Sequence, residues 1–210
     1  MTAGPDRRDL HALVEEAQRL GFFGPRPVSE QIAHAIAFAE LLETHEFGPR
    51  EFLDLGSGGG LPGLLLAVRW PDARGTLLDV SVRRTAFLRK AVLELGCESR
   101  ISVAEGRAEL LARDAALREA FPLVVARSFA APAVTAEIGG AFVRVGGALA
   151  VSEPQDRGER WLPEGLARVG LGVPAVIHGS DARIAVLIRT AALDDRWPRA
   201  VGIPTKRPLW

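Results

Sequence analysis

Phe52-Leu53-Asp54-Leu55-Gly56-Ser57-Gly58-Gly59-Gly60-Leu61-Pro62-Gly63 is a short apolar strand that runs into a glycine-dense turn and then into a helix start. Glycines in such a turn let the backbone take positive φ and let a ligand approach without meeting Cβ atoms. The next β-rich run, Leu77-Leu78-Asp79, ends in an acid. A carboxylate at that strand end accepts hydrogen bonds from both hydroxyls of a ribose. A structural turn followed by a helix-capping acid would explain each feature separately, but their spacing together is that of a nucleoside site.

The identity of the nucleoside depends on where the glycines fall. Gly58, Gly60 and Gly63 satisfy the dinucleotide pattern G-x-G-x-x-G, a weak signal alone. That pattern begins three residues late relative to the strand, and Pro62 removes an N–H that a pyrophosphate would use. A strand ending in Asp before Gly-x-Gly suits S-adenosylmethionine better, because that ligand carries an ammonium and a sulfonium and needs no phosphate cradle.

Outward from this turn, strands are expected at Phe52–Leu55, Thr76–Asp79, Ile101–Ala104, Leu123–Ala126 and Ala148–Ser152, with helices at about 62–69, 82–95, 108–119 and 132–142. Strands alternating with crossover helices imply a doubly wound α/β sheet of the Rossmann-like class, mostly parallel. Ala175–Ile177 and Ile184–Ile188 are too close for a crossover helix and predict an antiparallel pair at the C-terminal edge. Apolar positions at helical spacing predict N-terminal helices at 8–20 and 29–44, Ser29 capping the second, with Gly21 to Pro27 as the break. Residues 1–48 thus read as a helical appendage to a domain of 49–210, and Asp194 to Trp210 as an extended tail.

The chain has 210 residues, 48% hydrophobic, which suits one well-buried core. Basic and acidic residues both number 26, so no global field draws it to nucleic acid or membrane. Cys97 is the single cysteine, leaving no thiolate cluster for a metal, and no metal is expected. No apolar run reaches the roughly 18 to 20 residues of a membrane span. Asp6, Asp9, Glu15 and Glu16 stand where a signal peptide would be apolar. A cytoplasmic, monomeric protein without a membrane partner is expected.

Asp54 through Gly63, Leu77-Leu78-Asp79, Arg83-Arg84, Phe87-Leu88-Arg89, Arg107-Ala108-Glu109 and Ala126-Arg127-Ser128-Phe129 resemble the ribosomal RNA small-subunit methyltransferase G family, also called glucose-inhibited division protein B. The ending, Trp197-Pro198-Arg199 and Gly202-Ile203-Pro204-Thr205-Lys206-Arg207-Pro208-Leu209, is similar to that family's C-terminus. The resemblance implies a class I methyltransferase fold and transfer of a methyl group from S-adenosylmethionine to guanine N7 in 16S ribosomal RNA, with the small ribosomal subunit as partner. It implies cofactor contacts from Gly56, Leu61, Ala108, Glu109 and Arg127, to which the reading of the turn and of the strand-end acid adds Gly58 and Asp79. Ala108 and Glu109 would hold the adenine, and Arg127 is the catalytic candidate.

The residues agree with this chemistry. Exocyclic amine methylation usually needs a polar-Pro-Pro-aromatic run after the fourth strand, whereas Arg127-Ser128-Phe129-Ala130 stands there. Pyrimidine-carbon methylation needs a nucleophilic cysteine, and Cys97 lies after the second crossover helix, away from the strand ends. Guanine N7 has a free lone pair and loses no proton on attack, so orientation suffices.

The chain departs from the family in Gly21 to Thr44, where His34 is followed by Ala35-Ile36-Ala37, and at Ser152-Glu153-Pro154, where Lys-Gly is usual. A small-molecule methyltransferase is therefore an alternative, with a nicotinamide-dependent oxidoreductase and a non-catalytic cofactor-binding module behind it. If RNA is the substrate, Arg127, Arg199, Lys206 and Arg207 are expected to form one basic rim, with Glu153 a local repulsion. Arg83, Arg84, Arg89, Lys90 and Arg196 are further basic candidates.

Overall fold

Strand residues alternate between two buried faces, so the sheet carries helices on both sides. The structure, a computed structural model, describes residues 7–154 and 160–210. Its helices are α1 (Arg7–Arg19), α2 (Val28–Thr44), α3 (Gly63–Arg69), α4 (Val82–Glu94), α5 (Ala108–Leu111), α6 (Pro132–Gly140), α7 (Pro163–Arg168) and α8 (Ile203–Lys206). The strands are β1 (Glu51–Leu55), β2 (Arg74–Asp79), β3 (Ile101–Glu105), β4 (Phe121–Ala126), β5 (Val143–Glu153), β6 (Ala175–His178) and β7 (Arg183–Ile188). They form one sheet in the order β3-β2-β1-β4-β5-β7-β6. The first five pair in parallel, while β7 is antiparallel to both β5 and β6. The doubly wound class and the antiparallel C-terminal pair match the expectation. Chain order reverses between β1 and β4, which opens a crevice at their carboxyl ends.

Phe52, Leu77, Leu123 and Val125 pack into one core with α1 to α4, and Leu53, Leu55, Leu78 and Val124 pack into the other with α6 and α7. The N-terminal helices are part of the first core: Leu13, Val14, Phe38 and Leu42 are buried in the same cluster as Phe52 and Leu88. α2 lies against α3 and β7, and α1 against α2 and α4.

Several boundaries differ from expectation. The helix at 108–119 is one turn only, because Asp114 Oδ1 accepts the Ala116 N–H and diverts the backbone into turns. Those turns let Arg118 reach carbonyls of the tail, donating to Trp197 O at 2.7 Å. Ser29 does not cap α2, which begins at Val28 after Pro27. β5 starts at Val143 rather than near Ala148, and α7 had no counterpart in the apolar pattern. The tail is folded: Glu119 accepts the Leu193 N–H, α8 forms after Gly202, and Trp197 is buried.

One buried acid joins strand to helix at the crevice. Asp54 on β1 is 1% exposed and its Oδ2 accepts the Gly63 N–H, 3.1 Å, at the first residue of α3. A Cβ on Gly63 would lie 2.4 Å from Leu77 Cδ2 and 2.5 Å from Asp54 Oδ2. Burial pushes the Asp54 carboxyl up to about 7, opposed by hydrogen bonds from Ser57 and Gly63.

Two stability predictions follow from this joint. Gly63→Ala should lower the unfolding free energy by about 1–3 kcal/mol through overpacking. Gly24→Ala, where a Cβ meets nothing within 4 Å, should stay within about 0.5 kcal/mol of the parent in the same urea titration. Asp54 holds its proton to a higher pH folded than unfolded, so its stabilisation is complete below the ordinary carboxylate range and is lost as pH rises through about 7. Urea midpoints between pH 5 and pH 8, about three units, should therefore slope downward more in the parent than in Asp54→Asn, by at most about 1.4 kcal/mol per pH unit. Parallel slopes would show that Asp54 is ionised throughout.

Candidate active site

The glycine loop is tied to the ends of two strands. Ser57 N–H donates to Leu78 O (2.9 Å), and Gly58 N–H donates to Asp79 Oδ2 (2.9 Å). Asp79 Oδ1 accepts the Ser81 N–H, also at 2.9 Å, so β2, the loop and the start of α4 meet on one carboxylate. Arg84 lies 3.7 Å from Asp79 Oδ2. Gly56 and Gly58 take φ of +71° and +55°, a region side chains avoid. At Gly58 the nearest atom to a Cβ would be 3.7 Å away, because the space above it is cavity.

Two cavities of about 680 and 300 Å³ share Gly56, Arg84 and the Ser128–Ala130 turn, so they form a single bent cleft over the loop. Asp79, Ala108 and Glu109 line the smaller arm, and Gly58, Leu61 and Arg127 the larger, with Gly56 between. The seven residues expected from sequence are thus gathered around one cleft. Ala108 and Glu109 open α5, where N–H groups lack intrahelical acceptors. Glu109 is 8% exposed, and its Oε1 accepts the Gly202 N–H at 3.1 Å.

The larger arm holds side chains that the sequence reading did not single out. Phe23, in the break between α1 and α2, covers Gly59, where a Cβ would meet its ring at 2.6 Å. Arg127 Cζ stands 5.7 Å from the centre of that ring, and the guanidinium donates to Gln31 O at 3.2 Å and to Gln31 Oε1. Among the described residues no carboxylate is within ion-pair distance of Arg127. Burial lowers its pKa, against the attraction of Asp54. His34 Nε2 is 3.2 Å from Ser152 Oγ, and burial, then the nearby Arg127 and Arg26, lower the imidazole to about 4. The Phe22-Phe23 pair inside a Gly- and Pro-rich break was the available signal. Gln31 carried none and His34 was marked only as a departure from the family, since their partners are about a hundred residues away.

The expected basic rim is only partly present. Arg199 is bound to Glu137, a fully buried acid on α6, at 2.6 Å, because a buried carboxylate requires a paired cation. Glu153 is buried and paired with Arg160 at 3.0 Å, so it is not an open repulsion. Arg89 pairs with Glu105 and Lys90 with Glu16. Arg83 and Arg84 lie beside the Phe22 ring. Lys206 and Arg207 are exposed. No helix among the described residues is long and apolar enough to cross a membrane.

The profile of GidB, rRNA small subunit methyltransferase G, matches residues 10–158. A ribosomal RNA small subunit methyltransferase G from Rubrobacter xylanophilus is 38% identical over 74% of this chain and 64% of its own length. One from Chloroflexus aggregans is 31% identical over 97% of this chain and 88% of its own. Among solved structures, cofactor-bound Rv0187 from MTB superposes with a TM-score of 0.59 at 18% identity, covering 90% of this chain and 94% of that one. The O-methyltransferase TomG from Streptomyces achromogenes in complex with SAM gives 0.57 at 16%, covering 90% and 93%. At those identities the structures speak for the fold, and the sequence relatives for the family. The chain belongs to the rRNA small subunit methyltransferase G (GidB) family of S-adenosylmethionine-dependent methyltransferases.

Proposed function

We propose that this chain transfers the methyl group of S-adenosylmethionine to N7 of a guanine in 16S ribosomal RNA, acting in the cytoplasm on the small ribosomal subunit or its RNA. The observation that carries the reading is how the groups of the larger arm are committed. His34 is held neutral and bonded to Ser152, Glu153 is taken up by Arg160, and Asp54 is buried behind the loop. With His34, Glu153 and Asp54 so engaged, Glu30 is the one carboxylate of the arm, among the described residues, with no such bond, and it stands exposed at the rim, so the arm is suited to orienting an acceptor that surrenders no proton, as N7 of guanine is.

The cofactor fits the cleft on its own geometry. The Gly58 cradle is open to the cavity, the acid that ends β2 stands beside it, and the bend separates an adenosine arm from a reacting arm. Asp79 would accept ribose hydroxyls, Ala108 and Glu109 would meet the adenine, and Gly56, Gly58 and Leu61 would line the methionine portion. When bound, S-adenosylmethionine supplies a methyl group on a positively charged sulfur. Arg127, stacked on Phe23 and fixed by Gln31, orients the acceptor at the mouth, and Phe23 and Trp161 keep water from the reacting arm. In this reading residues 1–48 are a helical appendage that walls the acceptor side.

Asp79→Ala should weaken binding of S-adenosylhomocysteine in calorimetry by about 1.5–3 kcal/mol, as charge-assisted bonds are lost. Unchanged affinity would remove Asp79 from the site. Nucleoside mass spectrometry of 16S RNA should show 7-methylguanosine at one position only in cells carrying the gene. With naked 16S RNA, removing Lys206 and Arg207 should flatten the slope of log affinity against log salt by about 0.7 per lost phosphate contact. No methyl transfer to 30S subunits or 16S RNA, with cofactor binding intact, would leave a small-molecule acceptor as the reading.

A further inference from the structure

We infer that the C-terminal segment Trp197–Thr205 is a wall of the cofactor's adenine subsite, in which Thr205 touches the purine and the Glu137–Arg199 pair positions the segment. The inference rests on the S-adenosylmethionine reading of the cleft and assigns to the segment before Lys206, whose Arg199 is committed to Glu137, a part in cofactor binding.

Thr205 is on α8, 126 residues after Asp79 in number, yet both line the smaller cavity. The segment is brought there by charge. Glu137 is fully buried on α6, and it accepts the Arg199 backbone N–H at 2.8 Å, Nε–H at 2.9 and 3.1 Å, and Nη2–H at 2.6 Å. Undocking would strand a buried carboxylate, a cost large beside typical loop energies, so the docked form is strongly favoured. Arg113 Nη2–H donates to Pro198 O (2.5 Å) and Arg118 Nη1–H to Trp197 O (2.7 Å).

The link to the ligand is Glu109. The acid at the purine edge is also the group that receives Gly202 N–H, with Gly202 at φ +78° to start α8. One carboxylate thus faces the adenine arm and fixes the tail three residues before Thr205. Thr205 lines this pocket together with Val134 and Ile138 of α6, Leu78 of β2 and Phe129. A ligand seated there contacts the tail directly, and tail docking and occupancy favour each other by the same free energy.

The test uses the full chain and S-adenosylhomocysteine. Thr205 is exposed, so Thr205→Phe should leave the cofactor-free melting temperature unchanged while the bulky ring fills the adenine arm and weakens binding at least about tenfold in calorimetry. Arg199→Leu should weaken binding by a similar factor, and Arg199→Lys should recover it to within about threefold of the parent. Saturating ligand should slow tryptic cleavage after Arg199 at least about fivefold. Parent-like affinity, within about twofold, in Thr205→Phe, or unprotected cleavage by a ligand that binds, would overturn the tail's role and leave the cofactor site standing. Failure of the parent chain to bind S-adenosylhomocysteine would overturn both.

Discussion

The active cleft depends on two strand-end carboxylates that each receive a backbone N–H from the glycine loop. Asp54 takes Gly63 from within the core and Asp79 takes Gly58 from the cavity side, so the loop is fastened at both of its ends. Glycines supply conformations but no rigidity of their own, and an untethered run of Gly56 to Gly60 would lose binding free energy to ordering. The two acids solve this with different solvation. Asp54 is sealed and driven toward its neutral form, which makes it a structural peg. Asp79 is equally buried, yet it borders the open arm and stands 3.7 Å from Arg84, which suits an acid that must accept further hydrogen bonds.

Much of this was legible because it is local. A strand buried on both faces reads as an apolar run, so β1, β2 and β4 stand within a residue or two of where their side chains place them. The sequential spacing of Gly56, Gly58 and Asp79 survives into space because parallel strands in register bring their carboxyl ends together. The errors are equally physical. Residues 108–119 are apolar at helical spacing, but Asp114 offers its side chain to the backbone and Arg118 is drawn to the tail, and both stop the helix after one turn. The tail was read as extended because its prolines and arginines hide a partner that only the fold supplies, Glu137 in the middle of a buried helix.

The larger arm was the least legible part. Gln31, His34 and Ser152 come from α2 and the end of β5, and they meet only because α2 packs onto the sheet beside β7. Each has an unremarkable local pattern, so no periodicity marks it. Ser152-Glu153, where the sequence reading expected a basic strand end, is not an open patch of negative charge. Ser152 has an imidazole partner and Glu153 a guanidinium partner, so the local charge is balanced within the wall of the cleft. Attraction for an RNA phosphate must then come from elsewhere.

That balance shapes how acceptor recognition divides over the surface. Arg199 is spent on Glu137, Arg160 on Glu153 and Arg89 on Glu105, so counting arginines along the chain overstates the field a polyanion would meet. Around the cleft itself stand Arg127, Arg26, Arg84 and Arg107, and Lys206 and Arg207 are exposed beyond the docked segment Trp197–Thr205. A guanidinium stacked on Phe23 and fixed by a neutral amide keeps much of its field for the incoming acceptor, because among the described residues no carboxylate lies within ion-pair distance of it and only the buried Asp54 attracts it from behind the loop. Position of charge, more than quantity, therefore accounts for a formally neutral chain of this family carrying a cationic cleft.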